Sequence, residues 1–135
     1  WAGLLPEKDL DYFVYNPIKS LVDFVRQKKT ISICFPRNIN NYKKFVDNVN
    51  PDIISIDYNV NPSIIRDTID IPVQGGLDPK ILLQNKEIVR NEVTKYLKTF
   101  DKKRYIFNLG HGVLPETNPD IVRYLVDEVR SFNGQ

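Results

Sequence analysis

Apolar residues recur along this chain in two alternating rhythms. Short, nearly continuous apolar runs are separated by longer stretches in which apolar residues fall three or four apart. The runs are 30–35 (TISICF), 53–57 (IISID), 71–74 (IPVQ) and 104–109 (RYIFNL), and each predicts a strand. Helical spacing comes first at Leu10, Phe13 and Val14. Past Pro17 it resumes with Ile18, Leu21, Val22 and Val25 on one face, so the proline is expected to interrupt and restart that helix. Further helical faces are Tyr42, Phe45, Val46 and Val49; then Ile64, Ile65, Thr68 and Ile69; then Ile88, Val89, Val93, Tyr96 and Leu97. The last helix, 120–132, turns Ile121, Val122, Leu125, Val126 and Val129 inward. Asn61-Pro62, Asp78-Pro79 and Asn118-Pro119 each set a side-chain cap before a proline at the first helical position, and Asn85 or Lys86 opens the longer helix. Thr117-x-x-Asp120 also has the form of a capping box.

Strand and helix alternating in this way predict an α/β fold with a parallel sheet and right-handed crossovers. Strands apolar at nearly every position predict burial on both faces. Two architectures fit. One is a small open sheet of flavodoxin type, a non-catalytic interaction domain complete at 135 residues. The other is four consecutive units of a (β/α)8 barrel, about half of the ~250 residues a barrel needs. Strand order separates them: sequential neighbours mean barrel, a reversal means a doubly wound sheet.

Charge and composition narrow the function classes. Nineteen Lys and Arg against 17 Asp and Glu leave a formal charge of +2, interspersed rather than blocked, so no nucleic-acid footprint is present. No apolar stretch approaches the ~20 residues of a membrane span, and no signal peptide is recognisable. A single cysteine, Cys34, cannot form an internal disulfide and fits a reducing, cytoplasmic compartment. The chain opens on Trp1-Ala2-Gly3 and contains no methionine; the expectation is a piece of something longer, with a trimmed product as the alternative.

Candidate chemistry gathers at the strand ends, which a parallel sheet brings to one rim. They are Phe35-Pro36-Arg37, Asp57-Tyr58, Gln74-Gly75-Gly76-Leu77-Asp78-Pro79 and Gly110-His111-Gly112. His111 is the sole histidine, and its glycine flanks leave room for a ligand or allow positive φ. Asp57 is a general acid or base, or else a loop cap or partner of Arg37. Arg37 is a carboxylate fork or a solvated charge. Gly75-Gly76 let backbone approach a ligand but carry no phosphate-loop pattern. Cys34 reads as inert core and the Lys102-Lys103-Arg104 run as a solvated loop. There is no G-x-S-x-G elbow, no H-E-x-x-H and no dinucleotide fingerprint. One His and one Cys do not make a zinc site.

Taken in order, Trp1-Ala2-Gly3, Phe35-Pro36-Arg37, Ile56-Asp57-Tyr58, QGGLDP and FNLGHGVLPETNP resemble the C-terminal part of the uroporphyrinogen decarboxylase family over essentially all of the chain. Three departures stand out. Gly76 replaces the family's usual asparagine, Tyr58 its tryptophan, and Asn38-Ile39-Asn40 a frequent Gly-Ala-Gly.

The resemblance implies that residues 1–135 are the C-terminal half of a (β/α)8 barrel, its strands five to eight, within a single decarboxylase domain. It implies a carboxy-lyase of haem biosynthesis that turns uroporphyrinogen III into coproporphyrinogen III, with no metal and no organic cofactor. The Arg-rich loop, Asp, Tyr and Ser that complete the family's site have no counterpart here, so no catalytic residue is assigned and the isolated chain is expected to be inactive. Only His111 matches, as a substrate-binding residue; Arg37, Asp57, Gly110 and Gly112 are possible contacts on the rim. A homodimer or other self-association is implied as well. Corrinoid-linked methyltransferases are related, but they need a zinc site that this chain cannot supply.

Overall fold

A computed structural model describes residues 1–100 and 104–132; Lys102 and Lys103 of the expected solvated run lie outside them. Four strands form one sheet: β1 Ile33–Cys34, β2 Ile53–Ile56, β3 Val73–Gly75 and β4 Tyr105–Ile106. All pairings are parallel and the spatial order is β1-β2-β3-β4. Sequential order removes the doubly wound alternative, which needs a reversal. Helices α1 Asn16–Gln27, α2 Tyr42–Val49, α3 Pro62–Thr68, α4 Lys86–Thr99 and α5 Pro119–Ser131 alternate with the strands.

The helix starts follow the sequence closely. Side chains of Asn41, Asn61, Asp78, Asn85 and Asn118 each accept a backbone N–H of the turn they open. The Thr117 capping box does not form: Asn118 Oδ1 takes the Asp120 N–H, and the Thr117 hydroxyl is buried without a partner. Pro17 does not break its helix either. Asp11–Tyr15 forms a π-helical turn that runs straight into α1. The wider turn makes space for a ring that would clash with the preceding carbonyl of an ordinary α-turn.

Register decides the two faces of the sheet. Cys34 pairs with Ile54 and Ile54 with Val73, which pairs with Tyr105; these side chains face the helices. There Ile54 and Ile56 meet a core that holds Phe45 and Val49 of α2 and Val89 and Val93 of α4, all essentially inaccessible to water. The opposite, concave face is not covered. Ile33, Phe35 and Ile106 remain 49%, 45% and 42% exposed, contrary to the expectation that both faces are buried. Phe13, Leu21 and Ile64, expected to point inward, are exposed as well. Each apolar run holds a strand, although β1 and β4 span only two residues each, and Ile33, Phe35 and Ile106 on the concave face lack full cover among the described residues.

Polar clasps close the lower and upper ends of the sheet. At the N-terminal end, Ser32 donates its N–H (2.8 Å) and its hydroxyl (2.7 Å) to Asp52 Oδ2, and Asp52 N–H returns a bond to Ser32 Oγ. With the Ile53 N–H donating to the Ser32 carbonyl at 3.0 Å, this seats the start of β1 against the start of β2. At the C-terminal end, the Tyr96 and Tyr105 hydroxyls donate to the carbonyls of Gly76 (2.6 Å) and Gly75 (2.8 Å). Burial pushes the Tyr96 phenol up to about 12 and the Tyr105 phenol higher still. Both phenols therefore stay protonated as fixed donors through the physiological range.

The Ser32 bonds, with Arg26 nearby, hold the Asp52 carboxyl below its ordinary value. Because the folded pKa is depressed, its stabilising contribution is complete above the unfolded value of about 3.9 and fades as pH falls through the folded one. Urea unfolding between pH 5 and pH 2 should therefore show an acid loss of stability that is reduced in Asp52→Asn. An identical pH slope in the variant would remove Asp52 from the acid response.

Candidate active-site cleft

The C-terminal strand ends and the concave face enclose one open cleft of about 930 Å3. Trp1, Arg37, Ser55, Gln74, Asn108 and His111 supply its polar and aromatic lining, and Phe13, Ile33 and Phe35 much of its apolar wall. Of the residues expected on the rim, Arg37, Gly110, His111 and Gly112 border this space and Asp57 does not.

Asp57 turns back into its own rim. It is 1% exposed, and its Oδ2 accepts the Asn38 N–H (2.6 Å) and the Tyr42 hydroxyl (2.7 Å). Tyr42 Oη in turn accepts the Asp57 N–H at 3.0 Å. Burial first, then the bond to Asp57, drives the Tyr42 phenol far above its usual range, so it remains a donor. The carboxylate thus ties the loop after β1 to the end of β2. It makes no ion pair with Arg37, and its Oδ1 is buried without a partner. Of the alternatives open in the sequence, loop cap describes it and rim contact does not.

The Arg37 loop is locked from the other side by the first residues. Gly3 N–H donates to the Arg37 carbonyl at 3.0 Å, and a Cβ on Gly3 would run into the Asn38 backbone. The Arg37 guanidinium lies 3.2 Å from the Trp1 ring centroid, a cation–π contact that fixes the fork at the cleft wall. Asn38 sits at φ 59°, a left-handed conformation that asparagine tolerates where other non-glycine residues strain. That explains how Asn38 can stand where the resemblance expected glycine, with Ile39 buried beneath it.

His111 is held by its neighbours rather than by its own contacts. Gly110 N–H donates to the Leu77 carbonyl at 2.8 Å, continuing the β3–β4 pairing through the Leu77–Leu109 bridge. A Cβ on Gly110 would lie 2.3 Å from the Tyr58 nitrogen. The glycine is thus required by close packing of one rim loop on another, and neither Gly110 nor Gly112 has positive φ. His111 Nδ1 accepts the Gly112 N–H at 2.7 Å. In the neutral ring the proton therefore resides on Nε2, leaving a donor at the exposed edge of the cleft. Gly75 and Gly76, expected to approach a ligand, are instead buried under the two tyrosines, at φ 91° and 106°.

Sequence reasoning passed over Ser55, and named Gln74 and Asn108 only inside strand-end motifs, with no role of their own. Each is the polar residue within an apolar strand run. The register pairs Ser55 with Gln74 and Gln74 with Ile106, so Ser55 and Gln74 share the concave face, and Asn108 follows Ile106 by one strand repeat. All three line the cleft. Among the described residues no group of three or more His, Cys, Asp and Glu side chains could hold a metal ion, and no helix is long and apolar enough to cross a membrane.

A sequential parallel sheet with its ligand-facing loops on the C-terminal rim defines a β/α protein whose architecture is compatible with half of a (β/α)8 barrel. The sequence model of the uroporphyrinogen decarboxylase (URO-D) family matches residues 1–132, and the chain belongs to that family. It is 40% identical over 136 residues to a uroporphyrinogen decarboxylase of Rickettsia felis (strain ATCC VR-1525 / URRWXCal2), covering 98% of this chain and 39% of the relative. It is 39% identical over 140 residues to that of Rickettsia bellii (strain RML369-C), covering 98% and 40%. The chain therefore spans about two-fifths of the length of these relatives.

The two glycines beside His111 separate packing from access. Gly110→Ala should lower stability by roughly 2 kcal/mol through overpacking against the Tyr58 backbone. Gly112→Ala, which meets nothing within 4 Å, should change it by less than about 0.5 kcal/mol. Urea midpoints measure both; equal midpoints for the two variants would contradict the packing role.

Proposed function

We propose that this chain is the C-terminal half of a uroporphyrinogen decarboxylase, residues 1–135 forming part of one (β/α)8 domain with β1–β4 as strands five to eight. In this reading the substrate is uroporphyrinogen III and the product coproporphyrinogen III, formed in the cytoplasm. Each step breaks the bond between an acetate methylene and its carboxylate. Carbon dioxide leaves, the electron pair is drawn into a protonated pyrrole, and a proton then takes the place of the carboxyl to leave a methyl group. The observation that carries the reading is the family match across 1–132 together with a cleft lined by both His111 and Arg37.

The cleft's chemistry suits such a substrate. Its apolar wall of Ile33 and Phe35 offers a surface for a macrocycle, and its fixed donors suit carboxylates. His111 serves substrate binding: its Nε2 proton faces a polar edge of the tetrapyrrole, while Nδ1 is occupied by Gly112. Arg37, Gly110 and Gly112 border the same bound molecule. This chain carries no counterpart of the carboxylate that the resemblance assigns to the developing pyrrole charge, so the chain alone lacks turnover.

A fusion tests this reading. Residues 1–135 are joined to the N-terminal portion of the Rickettsia felis relative that the chain does not cover. The fused protein should convert uroporphyrinogen III to coproporphyrinogen III, followed by chromatography of the oxidised porphyrins. The 135-residue chain alone should not, and His111→Asn should weaken substrate handling. A folded fusion without conversion, or turnover by the chain alone, would overturn the proposal.

The uncovered concave face and the single-sided β1 and β4 favour self-association of the isolated chain. Sedimentation should show dimers or larger species at micromolar concentration; a clean monomer would count against it.

A further inference from the structure

Beside His111, the cleft contains a second polar side chain that a backbone bond orients and whose other half is unused. Asn108 Oδ1 accepts the N–H of Leu109 at 2.8 Å. That bond sets the amide: Oδ1 faces the backbone and Nδ2 is presented with no partner. Gln74 lies on the same face, its Nε2 3.5 Å from Ser55 Oγ, at the limit of a hydrogen bond. The lining thus presents Asn108 Nδ2 and His111 Nε2–H past the end of β4 and the Arg37 guanidinium past the end of β1.

A ligand whose arms accept only and are anionic suits donors set along the rim in this way; carboxylate arms do so, whereas an amine or a second amide donor does not. Resting on the decarboxylase reading above, we propose that Asn108 is a specificity-determining binding residue, its Nδ2 donating to a carboxylate arm of the substrate on the same wall as His111. The alternative, that Asn108 only caps its own turn, uses Oδ1 and leaves Nδ2 to water, since the residue is exposed. The two roles are carried by different atoms of one side chain, so substitution can divide them.

Asn108→Asp keeps an oxygen to accept the Leu109 N–H but replaces the donor with a negative charge. In the fused protein described above it should raise the KM for uroporphyrinogen III at least tenfold, with the thermal midpoint of unfolding nearly unchanged. Asn108→Ser, shorter but still able to accept from Leu109, should raise KM several-fold, and it decides the matter should the Asp variant fail to fold. Wild-type KM in a folded Asp or Ser variant would overturn the carboxylate contact while leaving the decarboxylase reading intact. Absence of conversion by the folded unsubstituted fusion would overturn both.

Discussion

Strand alternation in a strictly sequential parallel sheet governs this molecule. Each residue of β1–β4 has its side assigned by register: Cys34, Ile54, Val73 and Tyr105 go to the helices, Ser55 and Gln74 to the concavity. A shift of one residue would send Ile54 and Ile56 into the cleft and Ser55 into the core, which is why the register is strongly specified. The helix-facing set is continuous and dry, and it supplies the cooperativity of the fold. The concave set is free to be polar because it does not have to hold the sheet together. Folding and ligand chemistry therefore occupy alternate residues of the same short segments.

Contacts between loops organise much of the rim above the sheet. Asp57 spends its carboxylate on Asn38 and Tyr42; Gly110 lies against the Asp57–Tyr58 backbone; Gly3 lies against Asn38. Each loop is thus a template for the next. Leaving one partner of a buried hydrogen bond unmatched is costly. The Arg37 loop is positioned in part by Gly3, Tyr42 and Asp57, which do not line the cleft. Substitution of such neighbours acts on the cleft through geometry alone.

Much of this was legible in the residues. Asn61, Asp78, Asn85 and Asn118 marked helix starts because a cap is a local event, decided within one turn. The strand runs and the rim position of His111 were legible for the same reason. What escaped required knowing which strands touch. Ser55, Gln74 and Asn108 each look like a blemish in an apolar run until the register aligns them on the concave side. Asp57 shows the converse: a carboxylate at a strand end has the same sequence whether it faces a ligand or folds back onto Asn38. Phe13 and Leu21 obey helical spacing, yet spacing does not say whether the surface opposite an apolar stripe is present.

The departures from the family pattern follow the same physics. At 38 the backbone needs φ near 59°, so glycine and asparagine are the natural alternatives, and asparagine leaves a backbone N–H for Asp57 just as glycine would. At 76 the demand differs. With φ at 106° and a Cβ placed 2.8 Å from the Tyr96 ring, any side chain requires Tyr96 to retreat, and Tyr96 is anchored by its bond to the Gly76 carbonyl. Gly76 and the inward seat of Tyr96 therefore form a matched pair: the glycine permits the ring to approach, and the ring's hydroxyl secures the strand end that leads to Leu77. Since Leu77 accepts the Gly110 N–H, the absence of a side chain at 76 reaches, by two hydrogen bonds and one turn of chain, the loop that carries His111.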